Sequence, residues 1–224
     1  MTMQFIKTNN PDLGTDSLYQ RLTEHLENGE KVLWLVSGGS NVELSTIVMQ
    51  RLSPSLTVNL SILLADERFG PTGHADSNAA QLLLAGFNHK QATVLPVLVG
   101  IPSLDDSLTR YESTARQALG EADYIIGQFG IGADGHIAGI LPNSPAVDSA
   151  DFVAAYQSDP YLRLTLTAHA LKRLSVAFVF AYGDNKHQAL EQLRDTTTSY
   201  ATQPSQILKE LPEAYVYNDQ IGDK

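Results

Sequence analysis

Asp134 and His136 stand two residues apart in the run Gly130-Ile131-Gly132-Ala133-Asp134-Gly135-His136-Ile137-Ala138. A carboxylate and an imidazole are the side chains most used to move a proton near neutral pH. At this spacing the acid can orient the ring and balance its charge. The glycines let the backbone turn tightly and approach a ligand. The plain alternative is a solvated loop with a capping Asp. The glycine density, directly after the apolar segment 124–129, favours the catalytic reading. An Asp-x-His pair alone is poor evidence for a metal site.

Further polar stretches could bind what this pair acts on. Ser37-Gly38-Gly39-Ser40-Asn41 lies between a β-rich run and a helical one. Its backbone N–H groups and the following helix start would form an anion site, although an ordinary N-capped turn has the same composition. Asp66-Glu67-Arg68-Phe69 follows a second β-rich run. Arg68 can hold a phosphate or carboxylate through two parallel hydrogen bonds, or enter a structural ion pair with a neighbouring helix. Asp76 or Ser77 reads as a helix cap. Arg163 and Lys186 have no other Lys or Arg beside them; each is either a contact for a bound anion or a surface charge. His25, His89, His169 and His187 have no evident partner and read as structural. Trp34 reads as core, and so do most Tyr and Phe positions.

Composition limits the classes of partner. Lys and Arg total 15 against 25 Asp and Glu, a formal net charge of −10. Such a surface repels nucleic acid and anionic membranes, so an anionic substrate requires a local concentration of basic groups. The chain has 0 cysteines, which removes disulfides, thiolate metal sites and a cysteine nucleophile. No apolar run approaches the roughly 20 residues of a membrane helix. The beginning, Met1-Thr2-Met3-Gln4-Phe5, lacks a basic-then-apolar leader pattern. The expectation is a cytoplasmic protein.

The elements that would position these residues alternate. Strands are expected at 32–36, 58–65, 93–99, 124–129, 163–167, 174–181 and 214–217. Helices are expected at 42–52, 77–86, 104–119, 185–193 and, closing before the last strand, 207–211. Leu104, Leu108, Tyr111, Ala115 and Leu119 fall on one helical face. Buried strands alternating with helices predict an α/β fold: a three-layer, Rossmann-like arrangement with a mainly parallel sheet flanked by helices. Length predicts one domain over 1–224. Ligands of such sheets bind beyond the carboxyl ends of the strands. The polar stretches 37–41, 66–69, 130–138 and 183–186 all follow expected strands, so several should meet.

In order, Ser37-Gly-Gly-Ser40, Asp66-Glu-Arg-Phe69, His74-Ala-Asp-Ser-Asn78, Gly130-Ile-Gly-Ala-Asp-Gly-His136, Arg163-Leu-Thr-Leu-Thr167 and Gly183-Asp-Asn-Lys186 make a composite pattern. It resembles the 6-phosphogluconolactonases, within the wider group that includes glucosamine-6-phosphate deaminase. The resemblance implies hydrolysis of 6-phospho-D-glucono-1,5-lactone, with water as nucleophile and neither metal nor organic cofactor. His136 would be the general base, Asp134 its partner, and Arg68 a contact for the oxyanion or the phosphate. Ser37, Gly38, Gly39, Ser40, Asp66, Arg163 and Lys186 would bind the substrate. The implied partner is a small phosphorylated sugar lactone, with no nucleic acid or membrane partner and a monomer or small homo-oligomer as the assembly. Two rival readings are a deaminase-type isomerase using Asp66 as base, and a sugar-phosphate-binding regulator without turnover. The deaminase pattern continues after the Asp-Gly-His run to an acid that assists ring opening, where this chain has Leu141. The stretch 137–141 departs from both patterns.

Overall fold

All five residues of Val32–Val36 are buried, as in a strand covered on both faces. This strand lies at the middle of the architecture seen in the computed structural model, which describes residues 2–101 and 103–223. In chain order the elements are β1 (Thr2–Lys7), α1 (Asp12–Glu27), β2 (Val32–Val36), α2 (Asn41–Arg51), β3 (Leu60–Leu64), β4 (Asp66–Arg68), α3 (Asn78–Leu84) and β5 (Thr93–Leu95). They continue with α4 (Leu104–Glu121), β6 (Tyr124–Phe129), β7 (Val153–Ser158), β8 (Tyr161–Leu166), α5 (Ala168–Leu171), β9 (Val176–Ala181), α6 (His187–Asp195) and β10 (Glu213–Asn218).

Seven strands form one sheet in the order β1-β10-β9-β6-β2-β3-β5, and every pairing in it is parallel. The mainly parallel sheet flanked by helices is the expected fold. A second, antiparallel sheet of β4, β8 and β7 stands apart from it. Its strands are short or only half-buried, and β4 reads Asp-Glu-Arg, so the apolar pattern did not reveal the sheet. β1 and α1 were likewise not anticipated.

Several boundaries shift for local reasons. The strand expected from Val58 begins at Leu60, because Leu56–Asn59 forms a 3₁₀ turn that leaves Val58 59% exposed. The strand expected to reach Val99 ends at Leu95, before Pro96, which has no N–H to donate. The run expected to open at Arg163 begins two residues earlier, at Tyr161. The strand expected from Leu174 begins at Val176. The helix expected from Asn185 begins at His187, after a single 3₁₀ turn, Asp184–Lys186. The helix expected at 207–211 is part of a 3₁₀ segment, Pro204–Glu210.

The anticipated face of α4 is real: Tyr111, Ala115 and Leu119 are buried. The Tyr111 hydroxyl donates to the Leu64 carbonyl at 2.6 Å, tying α4 to the end of β3. Ser77 caps α3, its Oγ accepting from the Ala80 N–H at 3.2 Å. Glu67 reinforces that cap by accepting from the N–H groups of Asn78 (2.7 Å) and Ala79 (3.0 Å) and from the Ser77 hydroxyl (2.9 Å). A carboxylate is favoured at a helix N-terminus. The structural role expected for the Asp-Glu-Arg run is an ion pair with a neighbouring helix; Glu67 instead meets α3 through these hydrogen bonds, with no basic partner among the described residues.

Candidate active site

β2 and β6 are neighbours at the sheet centre, but the chain proceeds from β2 toward β3 and β5, and from β6 toward β9 and β10. The loops leaving their carboxyl ends therefore diverge and open a crevice, as at the switch point of an open α/β sheet. Those loops are Ser37–Ser40 and Gly130–Ala138. The cleft between them holds about 200 Å³.

The first loop depends on its glycines. Gly39 has φ +64°, and a Cβ on Gly38 would lie 2.0 Å from Asn78 Oδ1. Ser40 and Asn41, at the start of α2, line the cleft, so the positive end of that helix adjoins it. The Asn78 amide donates to the Asp66 carbonyl at 2.9 Å, linking α3 to β4. The Ser37 hydroxyl and the side-chain carbonyls of Asn41 and Asn78 are buried with no hydrogen-bond partner among the described residues.

The second loop carries the proton-transfer pair. His136 Nδ1 lies 2.6 Å from Asp134 Oδ1, which also accepts from the His136 N–H at 3.1 Å. The hydrogen bond from His136 holds the Asp134 carboxyl at about 2, so it is ionised at any ordinary pH. With Nδ1 engaged, Nε2 is the ring nitrogen left for chemistry. A Cβ on Gly132 would stand 2.0 Å from His136 Nδ1, so glycine is the residue that admits the ring. The departure at 137–141 has a packing explanation. Ile137 bridges both Ile131 and Ile140, and all three are buried, pinning the loop to the core. Tyr156 continues this anchoring by donating to the Gly139 carbonyl and accepting from the Leu141 N–H.

The small sheet delivers the charges. Along β4, Asp66 and Arg68 project to one face while Glu67 projects to the other, toward α3. Arg68 pairs in register with Arg163 of β8. Like charges directly opposite are unfavourable in an isolated sheet, so this pairing points to an anion. Arg163 Nη1 lies 3.9 Å from Asp66 Oδ2, and Arg68 Nη1 donates to the Asp76 carbonyl at 2.8 Å. Both Nε–H groups are buried without a hydrogen-bond partner among the described residues. Burial pushes the Asp66 carboxyl above the usual range, opposed by Arg68, Arg163 and His136. Lys186, from the 3₁₀ turn after β9, enters the same wall.

Ser37, Gly38, Gly39, Ser40, Asp66, Arg68, His136, Arg163 and Lys186 all line the one cleft. Asp134 stands behind His136 rather than in the wall. Sequence reasoning passed over Asn78, Phe180 and Tyr182, which also line it. Asn78 was the last residue of a motif already noted, while Phe180 and Tyr182 were grouped with core aromatics. The other histidines have structural partners: His25 stacks on Tyr124, His74 bonds the Arg68 carbonyl, His89 bonds the Ala92 carbonyl, His169 packs edge-on to Phe152, and His187 pairs with Glu191. Among the described residues, no three His, Asp or Glu side chains converge to hold a metal, and no helix is long and apolar enough to cross a membrane.

Residues 13–217 match the family described as glucosamine-6-phosphate isomerases/6-phosphogluconolactonase. A 6-phosphogluconolactonase of Pseudomonas aeruginosa is 30% identical over 179 residues, 74% of this chain and 73% of that protein. One from Neisseria meningitidis serogroup A is 29% identical over 149 residues, 60% of this chain. The matched segment spans 62% of the Neisseria protein's length. The crystal structure of a 6-phosphogluconolactonase from Thermotoga maritima superposes with a TM-score of 0.79, covering 97% of this chain and 98% of that one at 18% identity.

Proposed function

Since the chain belongs to the glucosamine-6-phosphate isomerase/6-phosphogluconolactonase family, we propose that it is an enzyme hydrolysing 6-phospho-D-glucono-1,5-lactone to 6-phospho-D-gluconate. The observation that carries this reading is the Asp134–His136 pair, held at 2.6 Å at the mouth of a cleft walled by Arg68, Arg163 and Lys186.

His136 Nε2 takes a proton from water as the water oxygen bonds to the lactone carbonyl carbon. Asp134 accepts the Nδ1–H, keeps Nε2 the basic nitrogen, and stabilises the imidazolium that forms. The carbonyl electrons move onto oxygen, and the guanidinium and N–H donors of the cleft face that oxyanion. Donors fixed where charge develops contribute roughly 3 kcal/mol each. The tetrahedral intermediate collapses by breaking the ring C–O bond, and the imidazolium returns its proton to the departing ring oxygen. Ser37 to Ser40, Arg163 and Lys186 hold the sugar phosphate, while Asp66 accepts from a sugar hydroxyl.

The deaminase reading needs an acid at the position of Leu141 and finds none. One comparison tests both: lactone hydrolysis, corrected for spontaneous opening, beside ammonia release from glucosamine 6-phosphate. Hydrolysis without ammonia is expected. Ammonia release would overturn the assignment, and so would tight 6-phosphogluconate binding without turnover of any sugar phosphate.

A further inference from the structure

Tyr161 opens β8 outside the cleft wall, yet its ring faces both cleft arginines. Arg68 Cζ lies 5.1 Å and Arg163 Cζ 5.7 Å from the ring centroid. The register accounts for this. Arg163 is two residues along the same strand, so its side chain shares a face with Tyr161. Arg68 is directly opposite Arg163 and hence diagonal to Tyr161, within reach of an aromatic side chain. Tyr161 is half-buried, and no hydrogen bond of its hydroxyl is found among the described residues, so the ring is what it contributes here.

The two guanidiniums need such a support. They sit in register, repel each other, and hold no tight carboxylate: Arg163 reaches Asp66 at 3.9 Å, and Arg68 bonds a backbone carbonyl. A full ion pair would fix them but consume the charge that a substrate anion needs. The negative face of an aromatic ring attracts cations without neutralising them. We infer that Tyr161 is a positioning residue whose ring face holds Arg68 and Arg163 together as one anion-binding unit. The inference rests on the proposed function insofar as that anion is the substrate's phosphate or its oxyanion.

The test compares the wild type with Tyr161→Met, which keeps an apolar side chain of similar reach but removes the ring, and Tyr161→Phe, which keeps the ring and removes the hydroxyl. Each is measured for KM and kcat on the lactone and, by calorimetry below its melting temperature, for Kd of 6-phosphogluconate. Tyr161→Met is expected to raise KM and Kd about tenfold, with kcat changed less than KM. Tyr161→Phe is expected to restore both to within about twofold. Unchanged binding in Tyr161→Met overturns the inference. So does a Tyr161→Phe variant as weak as Tyr161→Met, which would move the role to the hydroxyl. A wild type that binds 6-phosphogluconate without hydrolysing the lactone overturns the proposed function, and the ring is then judged on Kd alone. A wild type that binds no phosphorylated sugar acid overturns both.

Discussion

His136 is the residue on which the proposed reaction turns. His136→Ala should lower kcat by about 10²- to 10⁴-fold, the usual contribution of a general base. Unchanged hydrolysis by a folded variant would remove the imidazole from the mechanism. Asp134 and Asp66 behave oppositely with pH. Asp134, held at about 2 by His136, contributes stability that is present above the unfolded carboxylate range and lost as pH falls from about 4 toward 2. Asp66 is pushed up by burial. Its ionised form therefore opposes folding as pH rises above about 4, and that cost is absent below it. Asp66→Asn should accordingly melt higher than the wild type near pH 7.5, with the gain vanishing below about pH 4. It should also lose activity, a stability–function trade-off at a polar site. Melting curves at the two pH values check the sign.

At the scale of elements, the cleft is made by loops whose shape rests on particular contacts. A Cβ on Gly132 would meet His136 Nδ1 at 2.0 Å and Asp134 Oδ1 at 2.5 Å. Gly132→Ala must therefore displace the imidazole or the carboxylate. It should approach His136→Ala in lost kcat while leaving the melting temperature within a few degrees, because the clash lies at a cleft loop rather than in the core. Ser77→Ala acts differently. It removes the α3 cap and one of the partners of Glu67, costing about 1 kcal/mol of stability by denaturant unfolding. Since Asn78 and Asp66 adjoin that cap, KM should also rise modestly.

Across the whole molecule, a net charge of −10 surrounds a cleft carrying two arginines and a lysine. The far field repels a phosphorylated substrate, and only the local cations attract it, over roughly the 8 Å Debye length at physiological salt. Lys186→Met should raise KM more than it lowers kcat, and the difference from wild type should narrow as salt rises from about 0.05 to 0.5 M. A KM ratio indifferent to salt would show that Lys186 acts by packing rather than by charge.

The sequence alone determined the parallel α/β class, because apolar runs as short as 32–36, alternating with helical segments, suit strands covered on both faces. It also marked the polar stretches that meet at the cleft, because Gly-rich turns and isolated cations at strand exits are legible one segment at a time. Glu67 could be noticed in sequence, but not separated from Asp66 and Arg68. That division of labour follows from strand alternation in β4, a strand too short and too charged to be read as one. The register of Arg68 against Arg163, the ring of Tyr161 facing both, and the burial of Asn78 depend on pairing between segments about 95 residues apart or on packing at the sheet edge. Distant pairing leaves no local periodicity, so only the tertiary structure decided how the separate residues around the Asp134–His136 pair become one site.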